Sequence, residues 1–101
     1  MKFGLSDTVI EELQNVFRRH QNIERVLIFG SRSKGNYRAG SDIDLAVIGK
    51  GIDYRQILTI LCEIEDLGLL YSVDMIDYKE KVGTPIGYHI DRVGQVFYEA
   101  A

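Results

Sequence analysis

A polar, glycine-rich loop between two apolar segments constrains the fold of this chain more than any other feature. The run Arg25–Phe29 is short, apolar and rich in β-branched residues, which predicts a buried strand that ends at Gly30. A second strand is predicted over Asp42–Ile48, where polar and apolar residues alternate at first and the end is apolar. The connecting residues 30–40 carry three glycines and several basic side chains. We therefore expect a sheet that presents this loop at one end.

Helical patterns flank and interrupt these strands. Helices are predicted where apolar residues recur at helical spacing after a capping residue: Asp7–His20 after Ser6, a long helix from its cap Asp53 to its stop at Gly68, and a short helix to Val93 after Thr84 and Pro85. We expect Gln56 to complete a capping box with Asp53.

Two further strands are predicted in the second half of the chain. They are Leu70–Asp77 and a short edge strand over Gln95–Tyr98, and a polar connection is expected over Tyr78–Gly83. Helical and strand patterns that alternate along the whole chain are typical of the α/β class.

Length and composition indicate one small domain that spans residues 1–101. No apolar run approaches the ~20 residues of a membrane span, and the first residues lack the apolar core of a signal peptide. The single Cys62, expected in the core or at its boundary, cannot form an internal disulfide. These features favour a cytoplasmic protein. The net charge of −3 argues against binding to long nucleic acid, which needs a broad basic surface.

The second strand opens with two acidic residues at alternate positions. Alternation places Asp42 and Asp44 on one face, about 6–7 Å apart along the chain, while Ile43 and Leu45 point into the core. Two carboxylates fixed side by side repel each other, so a cation is needed to make the arrangement favourable. Hard oxygen ligands suit Mg²⁺, which binds one or two carboxylates together with substrate phosphates.

The loop provides groups that suit a phosphate. Gly30 lets the backbone approach a phosphate closely, and Ser31 offers a hydroxyl and an N–H group. Arg32 adds a guanidinium that can bind phosphate oxygens in a fork. Lys34 and Arg38 add positive charge, although exposed loops carry such residues in any case.

A third carboxylate is expected from the third predicted strand. Asp74 lies in the middle of that strand, where a charge is costly unless it faces a site. Asp77 has the opposite parity and lies at the strand end, so we prefer Asp74 and keep Asp77 as the alternative. His20 is interpreted as a helix-end cation and His89 as a surface residue, neither with a catalytic role.

Simpler interpretations of these motifs are available. An Asp-x-Asp pair after a turn can be solubilising polarity, although the matched spacing to Gly30 and Ser31 argues against that interpretation here. The loop is neither a Walker phosphate loop nor a dinucleotide fingerprint. Tyr37 is equally consistent with stacking on a base and with an ordinary loop aromatic.

The whole pattern resembles the DNA polymerase beta-like nucleotidyltransferase superfamily. Its signature is Gly-Ser, ten intervening residues and Asp-x-Asp, matched by Gly30, Ser31, Asp42 and Asp44. Further details resemble the minimal nucleotidyltransferase branch, namely Arg32, Gly35 and Ser41–Leu45. In that branch a later strand carries a third acid between hydrophobic residues, which Val73–Met75 matches here. The resemblance extends from the first helix to the last predicted strand.

The resemblance implies a fold and a reaction. The fold would be a mixed sheet with helices mainly on one face. The reaction would be Mg²⁺-dependent transfer of a nucleoside monophosphate from ATP to an unidentified acceptor. Asp42, Asp44 and Asp74 would bind the metal, with two ions present when nucleotide is bound, and Asp74 would ligate at the attacking oxygen and could take its proton. Nucleotide contacts would come from the glycine-rich loop and its end: Gly30, Ser31, Arg32, Gly35 and Ser41.

The resemblance also implies a partner. Larger family members cover the nucleotide with their own helical domain, whereas this chain ends at Ala101 soon after its last predicted strand. Minimal members are commonly paired with a small helical protein of the HEPN or substrate-binding type. Alternatives are an antitoxin-like module that neutralises such a partner by contact, a nucleotide sensor, and a homodimer through a sheet edge. Phe97 and Tyr98 are candidates for contact with a partner or for self-association, and are equally consistent with edge-strand residues packed on the first helix.

Overall fold

The computed structural model describes residues 2–101 and contains four strands and five helices within that range. In chain order these are α1 Asp7–Arg18, β1 Ile23–Phe29, α2 Ser31–Lys34, β2 Ile43–Gly49, α3 Tyr54–Glu65, β3 Val73–Asp77, α4 Tyr78–Lys81, α5 Pro85–Val93 and β4 Gln95–Glu99. The strands form one sheet in the order β3-β2-β1-β4. β1 runs antiparallel to both β2 and β4, whereas β2 and β3 are parallel. The predicted α/β class with a mixed sheet is confirmed.

Side-chain caps begin the three longer helices, as the sequence predicts. The Ser6 hydroxyl accepts a hydrogen bond from the Val9 N–H at the start of α1, and the Asp53 carboxylate accepts one from the Gln56 N–H at the start of α3. Thr84 caps α5. These bonds satisfy N–H groups that have no partner inside a helix.

Two hydrophobic layers cover the two faces of the sheet. The larger layer joins α1 and α3 to alternate residues of the strands, and its fully buried members include Leu13, Phe17, Ile60, Ile43 and Leu45. The smaller layer lies on the opposite face, where Ile90 of α5 packs with Phe29 and Ala46. The two longest helices therefore share one face, and the other face is covered in part only by the shorter helices.

Element boundaries differ from the sequence predictions in several places. β1 begins at Ile23 rather than Arg25, and α1 ends at Arg18. β3 begins at Val73 rather than Leu70, and the Leu70 side chain is 99% exposed. The strand does not extend to Leu70, because the turn that follows α3 places the Leu70 side chain in solvent.

Three local predictions differ from the structure. The connection after β3 is a helical turn, α4, because the carboxylate of Asp77 caps it by accepting a hydrogen bond from the Lys79 N–H. The capping box at α3 is not completed, because the Gln56 side chain exchanges hydrogen bonds with the side chain of Asn22. Cys62 is exposed rather than part of the core. No helix within residues 2–101 has the length and apolar character that a bilayer span requires.

Candidate active site

Asp44 and Asp74 lie directly opposite each other on the parallel strands β2 and β3. Their position follows from strand alternation, because the neighbours Ile43 and Leu45 are fully buried in the larger hydrophobic layer. Both carboxylates therefore project from the other face of the sheet. Asp44 is half-buried there, and Asp74 is exposed.

Asp42 immediately precedes β2 and is exposed. Its charge nevertheless acts on Asp44. Burial is the largest cause that raises the pKa of the Asp44 carboxyl, and the negative charges of Asp74 and then Asp42 raise this pKa further. The three predicted acids therefore form one electrostatic cluster in which Asp44 is the central member.

The donor chemistry of this cluster fits a divalent cation. Mutual repulsion of carboxylates is relieved when a cation lies between them, and oxygen ligands are those that Mg²⁺ prefers. Within the described part of the chain, no three Asp, Glu, His or Cys side chains are arranged as a ready-made metal cage. Mg²⁺ does not require one, because it usually keeps several waters and takes substrate phosphates as further ligands.

Gly30 brings the backbone of the loop against the central carboxylate. It follows Phe29, which pairs with Asp44 in the β1–β2 ladder. Its φ of +77° lies in the region that favours glycine, and a Cβ atom at this position would stand 2.5 Å from Oδ2 of Asp44. Glycine is thus required both by the backbone conformation and by the space.

The short helix α2 is tied to the body of the protein through Ser33. This residue is buried, and its hydroxyl donates a hydrogen bond to the Val93 carbonyl oxygen. The Gln95 side-chain amide donates to the Ser33 carbonyl oxygen at 2.7 Å. Because Ser33 faces inward, the helical turn leaves Ser31 half-buried and Lys34 exposed. Ser33 carries no signal in the sequence for this role, since its two partners lie about 60 residues away.

Gly35 and Ser41 shape the loop beyond α2. Gly35 ends the helical turn with a φ of +84° and donates its N–H to the Ser31 carbonyl oxygen at 3.0 Å. The Ser41 hydroxyl accepts a hydrogen bond from the Arg38 N–H at 2.7 Å. Their predicted contacts with a nucleotide stay predictions, whereas their roles in the loop conformation are visible.

Arg32 points into the protein and not toward the acids. Only 2% of the residue is exposed, and its guanidinium donates hydrogen bonds to the carbonyl oxygens of Phe3 and Ser41. Protein atoms thus enclose the group that would bind a phosphate, and the predicted contact of Arg32 with a nucleotide stays a prediction. The exposed cations of the loop are Lys34 and Arg38.

The choice between the two candidate third acids follows from their faces. Asp77 is 6% exposed and has the parity of the buried Met75, so it lies on the face opposite to Asp44. One of its oxygens caps α4, and the other has no hydrogen-bond partner among the described residues. Asp74, in contrast, is in register with Asp44. The structure thus brings Asp74 to the acidic cluster and leaves Asp77 outside it.

His89 belongs to the surroundings of the acidic cluster, although the sequence pattern predicts a surface residue without a catalytic role. The residue is half-buried on α5, and its ring packs edge-on against Phe29 with 6.2 Å between centroids. His89 lowers the pKa of Asp44, opposite to the effect of the neighbouring carboxylates. Its position one residue before the buried Ile90 is the signal that it lies at the margin of the buried face.

Solved structures of other proteins share the fold of this chain. A chain of a toxin–antitoxin structure with AMP-PNP superposes with a TM-score of 0.73 at 20% identity, covering 90% of this chain and 73% of that one. A structure of the tri-AMPylated Shewanella oneidensis HEPN toxin in complex with its MNT antitoxin gives a TM-score of 0.70 at 17% identity, covering 95% and 74%. These two likenesses concern the fold.

A third solved structure is more similar in sequence. It is a candidate nucleotidyltransferase from Sulfolobus solfataricus, with a TM-score of 0.57 at 28% identity, covering 89% of this chain and 76% of that one. No functionally curated protein matches the sequence. The sequence profile described as "Polymerase beta, Nucleotidyltransferase" matches residues 11–101. This match includes the loop, all three acids and every strand, and the chain therefore belongs to the polymerase beta nucleotidyltransferase family.

Proposed function

We propose that this chain is a Mg²⁺-dependent adenylyltransferase that transfers AMP from ATP to an acceptor and releases pyrophosphate. The observation that carries the proposal is the register of Asp44 and Asp74 on adjacent parallel strands, beside a glycine that leaves room for the carboxylate of Asp44. A family whose members transfer nucleotides supplies the reaction class.

The positions of the three acids suggest a different role for Asp74 than for Asp42 and Asp44. Asp42 and Asp44, at the start of β2, would hold the metal. When bound, Mg²⁺ supplies charge neutralisation on the triphosphate as the adenylyl group is transferred. Asp74 lies on the edge strand β3 and is exposed, so an incoming acceptor can reach its carboxylate. Asp74 would also ligate the metal, at the oxygen of the acceptor hydroxyl that attacks, and would take the proton of that hydroxyl.

The bond changes are those of an in-line displacement. A bond forms between the acceptor oxygen and the α-phosphorus of ATP, and the bond from that phosphorus to the oxygen bridging to the β-phosphorus breaks. The electron pair leaves with pyrophosphate, and the acceptor proton passes to Asp74. Little covalent chemistry is required of the protein, so positioning and electrostatics supply most of the acceleration.

The glycine-rich loop would hold the triphosphate. Gly30 allows the phosphates to approach the backbone beside Asp44, and Ser31 contributes its hydroxyl and N–H at the first position of α2. Gly35 and Ser41 keep the loop in the conformation that presents these groups. Lys34 is exposed on α2 and, since the adjacent Arg32 is buried, is the exposed loop cation nearest in sequence to Ser31.

We propose a helical partner protein of the HEPN type as the acceptor. Support comes from the solved relatives, one of which is an AMPylated HEPN toxin in complex with an MNT antitoxin. A toxin–antitoxin relative with AMP-PNP supports ATP as the nucleotide. The acceptor hydroxyl would then belong to a side chain of the partner.

The test is incubation of the chain with α-labelled ATP, Mg²⁺ and the product of the neighbouring gene. We expect label on that protein, its loss with Asp44→Asn, and its retention with Glu24→Gln, which neutralises an exposed acid at the opposite end of β1. Absence of label on any species in the presence of the partner would contradict the proposal.

A second candidate function is neutralisation of the partner by contact alone. It is favoured by the solved relatives described as toxin–antitoxin complexes. Asp42→Asn combined with Asp44→Asn separates the two functions in cells that produce the partner. Continued protection by this double variant supports contact, and lost protection by a variant that still binds the partner supports transfer.

A further inference from the structure

We propose that Arg32 is a positioning residue that fixes the starts of β2 and β3, and thereby the acids they carry, rather than a ligand of the nucleotide. The inference rests on the proposed function for its catalytic consequence, but the structural claim stands on the contacts of Arg32 alone. Three of its N–H-bearing nitrogens are used within the protein, and the residue is 2% exposed.

The Arg32 guanidinium is hydrogen-bonded to Ser41, the residue that precedes the first acid, Asp42. Nε and Nη2 of Arg32 both donate to the Ser41 carbonyl oxygen, at 3.2 and 2.9 Å. Ser41 is bonded directly to Asp42, so this fork fixes the peptide plane from which Asp42 departs. Nη1 donates to the Phe3 carbonyl oxygen at 2.9 Å and ties the same point to the N-terminal segment.

Two tyrosines accompany the charged group. The Arg32 Cζ atom lies 5.3 Å from the ring centroid of Tyr37 and 5.0 Å from that of Tyr71. Aromatic faces attract a cation and lower the cost of burying it. Tyr71 is two residues before the start of β3, and its neighbour Ser72 accepts a hydrogen bond from the Ile43 N–H at 2.9 Å. Arg32 therefore contacts the segments that lead into both acid-bearing strands.

The residue type suits this role. A planar guanidinium can donate two hydrogen bonds to one carbonyl oxygen while its third nitrogen donates to a different segment. An ammonium group has a single nitrogen, so it cannot hold both segments in this fixed geometry. Arg32 forms no ion pair with a carboxylate in residues 2–101. Its partners are backbone oxygens and rings, which hold geometry rather than neutralise an acid.

The proposal predicts different effects for two kinds of substitution in the loop. Arg32→Lys keeps the charge and loses the fork, so it should disturb the start of β2. Lys34→Gln removes an exposed charge and leaves every contact of Arg32 in place. A fully buried position that makes no contact with Arg32 among those described provides the control for general destabilisation, and Ile60→Val on α3 serves this purpose.

Two measurements on the full chain test the proposal. The first is amide hydrogen exchange by NMR at a temperature where every variant is folded. In Arg32→Lys we expect exchange at the Ile43 amide to rise about tenfold or more, with no such local change in Ile60→Val. Exchange at Ile43 that matches the wild type in Arg32→Lys would overturn the positioning role, whatever the chain binds.

The second measurement is binding of Mn²⁺, used as the probe metal, and of ATP in EDTA. Arg32→Lys should bind Mn²⁺ about tenfold more weakly, as expected for a residue that orients a ligand, and should change metal-free ATP affinity by less than about twofold. Unchanged Mn²⁺ affinity with weakened metal-free ATP affinity would instead identify Arg32 as a nucleotide ligand. Failure of the wild-type chain to bind either probe would contradict the proposed function and leave the exchange result to decide the role of Arg32.

Discussion

Gly30 stands directly against the carboxylate of Asp44, so close that a Cβ atom on residue 30 would lie 2.5 Å from Oδ2. The contact joins the residue that follows β1 to the second residue of β2, beside the Phe29–Asp44 pair of the antiparallel ladder. It also explains why the loop begins with glycine at this position. Any larger residue would displace the acid on which the proposed metal site depends.

Gly30→Ala should therefore lower stability and metal affinity by more than left-handed backbone strain alone would. Gly35→Ala is the matched control, because Gly35 also has a positive φ but a Cβ atom there meets nothing within 4 Å. We expect the control to cost about 1–2 kcal/mol of folding free energy from left-handed strain. Gly30→Ala should cost more and lower Mn²⁺ affinity, measured by calorimetry. Equal effects of the two substitutions on stability and binding would contradict the role of the Gly30–Asp44 contact.

Asp44→Asn should stabilise the metal-free chain while it abolishes activity. The pKa of Asp44 is raised above its ordinary value of 3.8, mainly by burial and then by Asp74. A raised folded-state pKa of an acid means that the folded state binds the proton more tightly, so stability falls as pH rises from 3.8 through the folded-state pKa. At neutral pH the neutral amide removes this penalty. Thermal unfolding in EDTA should show a higher Tm for the variant, and turnover should fall about 100-fold or more.

The same raised pKa of Asp44 gives the pH dependence of metal binding. Because the carboxylate must be ionised to bind a cation, Mn²⁺ affinity should begin to fall at a higher pH than an ordinary aspartate would require. Titrations of Mn²⁺ binding between pH 4 and pH 8, at about half-unit steps, follow this loss. A profile governed by a group that titrates at or below 3.8 would contradict the clustering of the three acids.

Substitution of Asp74 should lower activity, whereas substitution of Asp77 should lower stability. Asp74→Ala removes an exposed acid in register with Asp44, so turnover should drop with little change in folding free energy. Asp77→Ala removes the cap of α4 and should cost about 1 kcal/mol while the folded protein keeps its metal affinity. Urea unfolding and Mn²⁺ titration of both variants provide the comparison. Loss of metal binding in Asp77→Ala, with retention in Asp74→Ala, would reverse the assignment.

Features that depend on local periodicity could be predicted from the sequence. Alternation around Ile43 and Leu45 correctly places Asp44 on the face away from the main core, because both apolar neighbours are fully buried. Capping by Ser6, Asp53 and Thr84 was likewise predictable, since each cap acts within three residues of its own helix. The family resemblance supplied the mixed sheet, which periodicity alone does not determine.

Features that depend on distant contacts could not be predicted in this way. The orientation of Arg32 depends on the carbonyl oxygens of Phe3 and Ser41, and a loop pattern does not indicate which of its charges turns inward. The Gln56 side chain prefers Asn22, which is 34 residues away, over its own helix cap. His89 reaches the surroundings of Asp44 only because α5 packs on the same face of the sheet.

The central claim is that the acids of β2 and β3 form a metal-dependent nucleotide site. The most direct measurement is calorimetric titration of the chain with AMP-PNP, with and without Mg²⁺, for the wild type, Asp44→Asn and the control Glu24→Gln. We predict metal-dependent binding by the wild type and the control, and loss of the metal dependence in Asp44→Asn. Binding by the wild type that Mg²⁺ leaves unchanged, or Mg²⁺-dependent binding of equal strength in Asp44→Asn, would contradict the account.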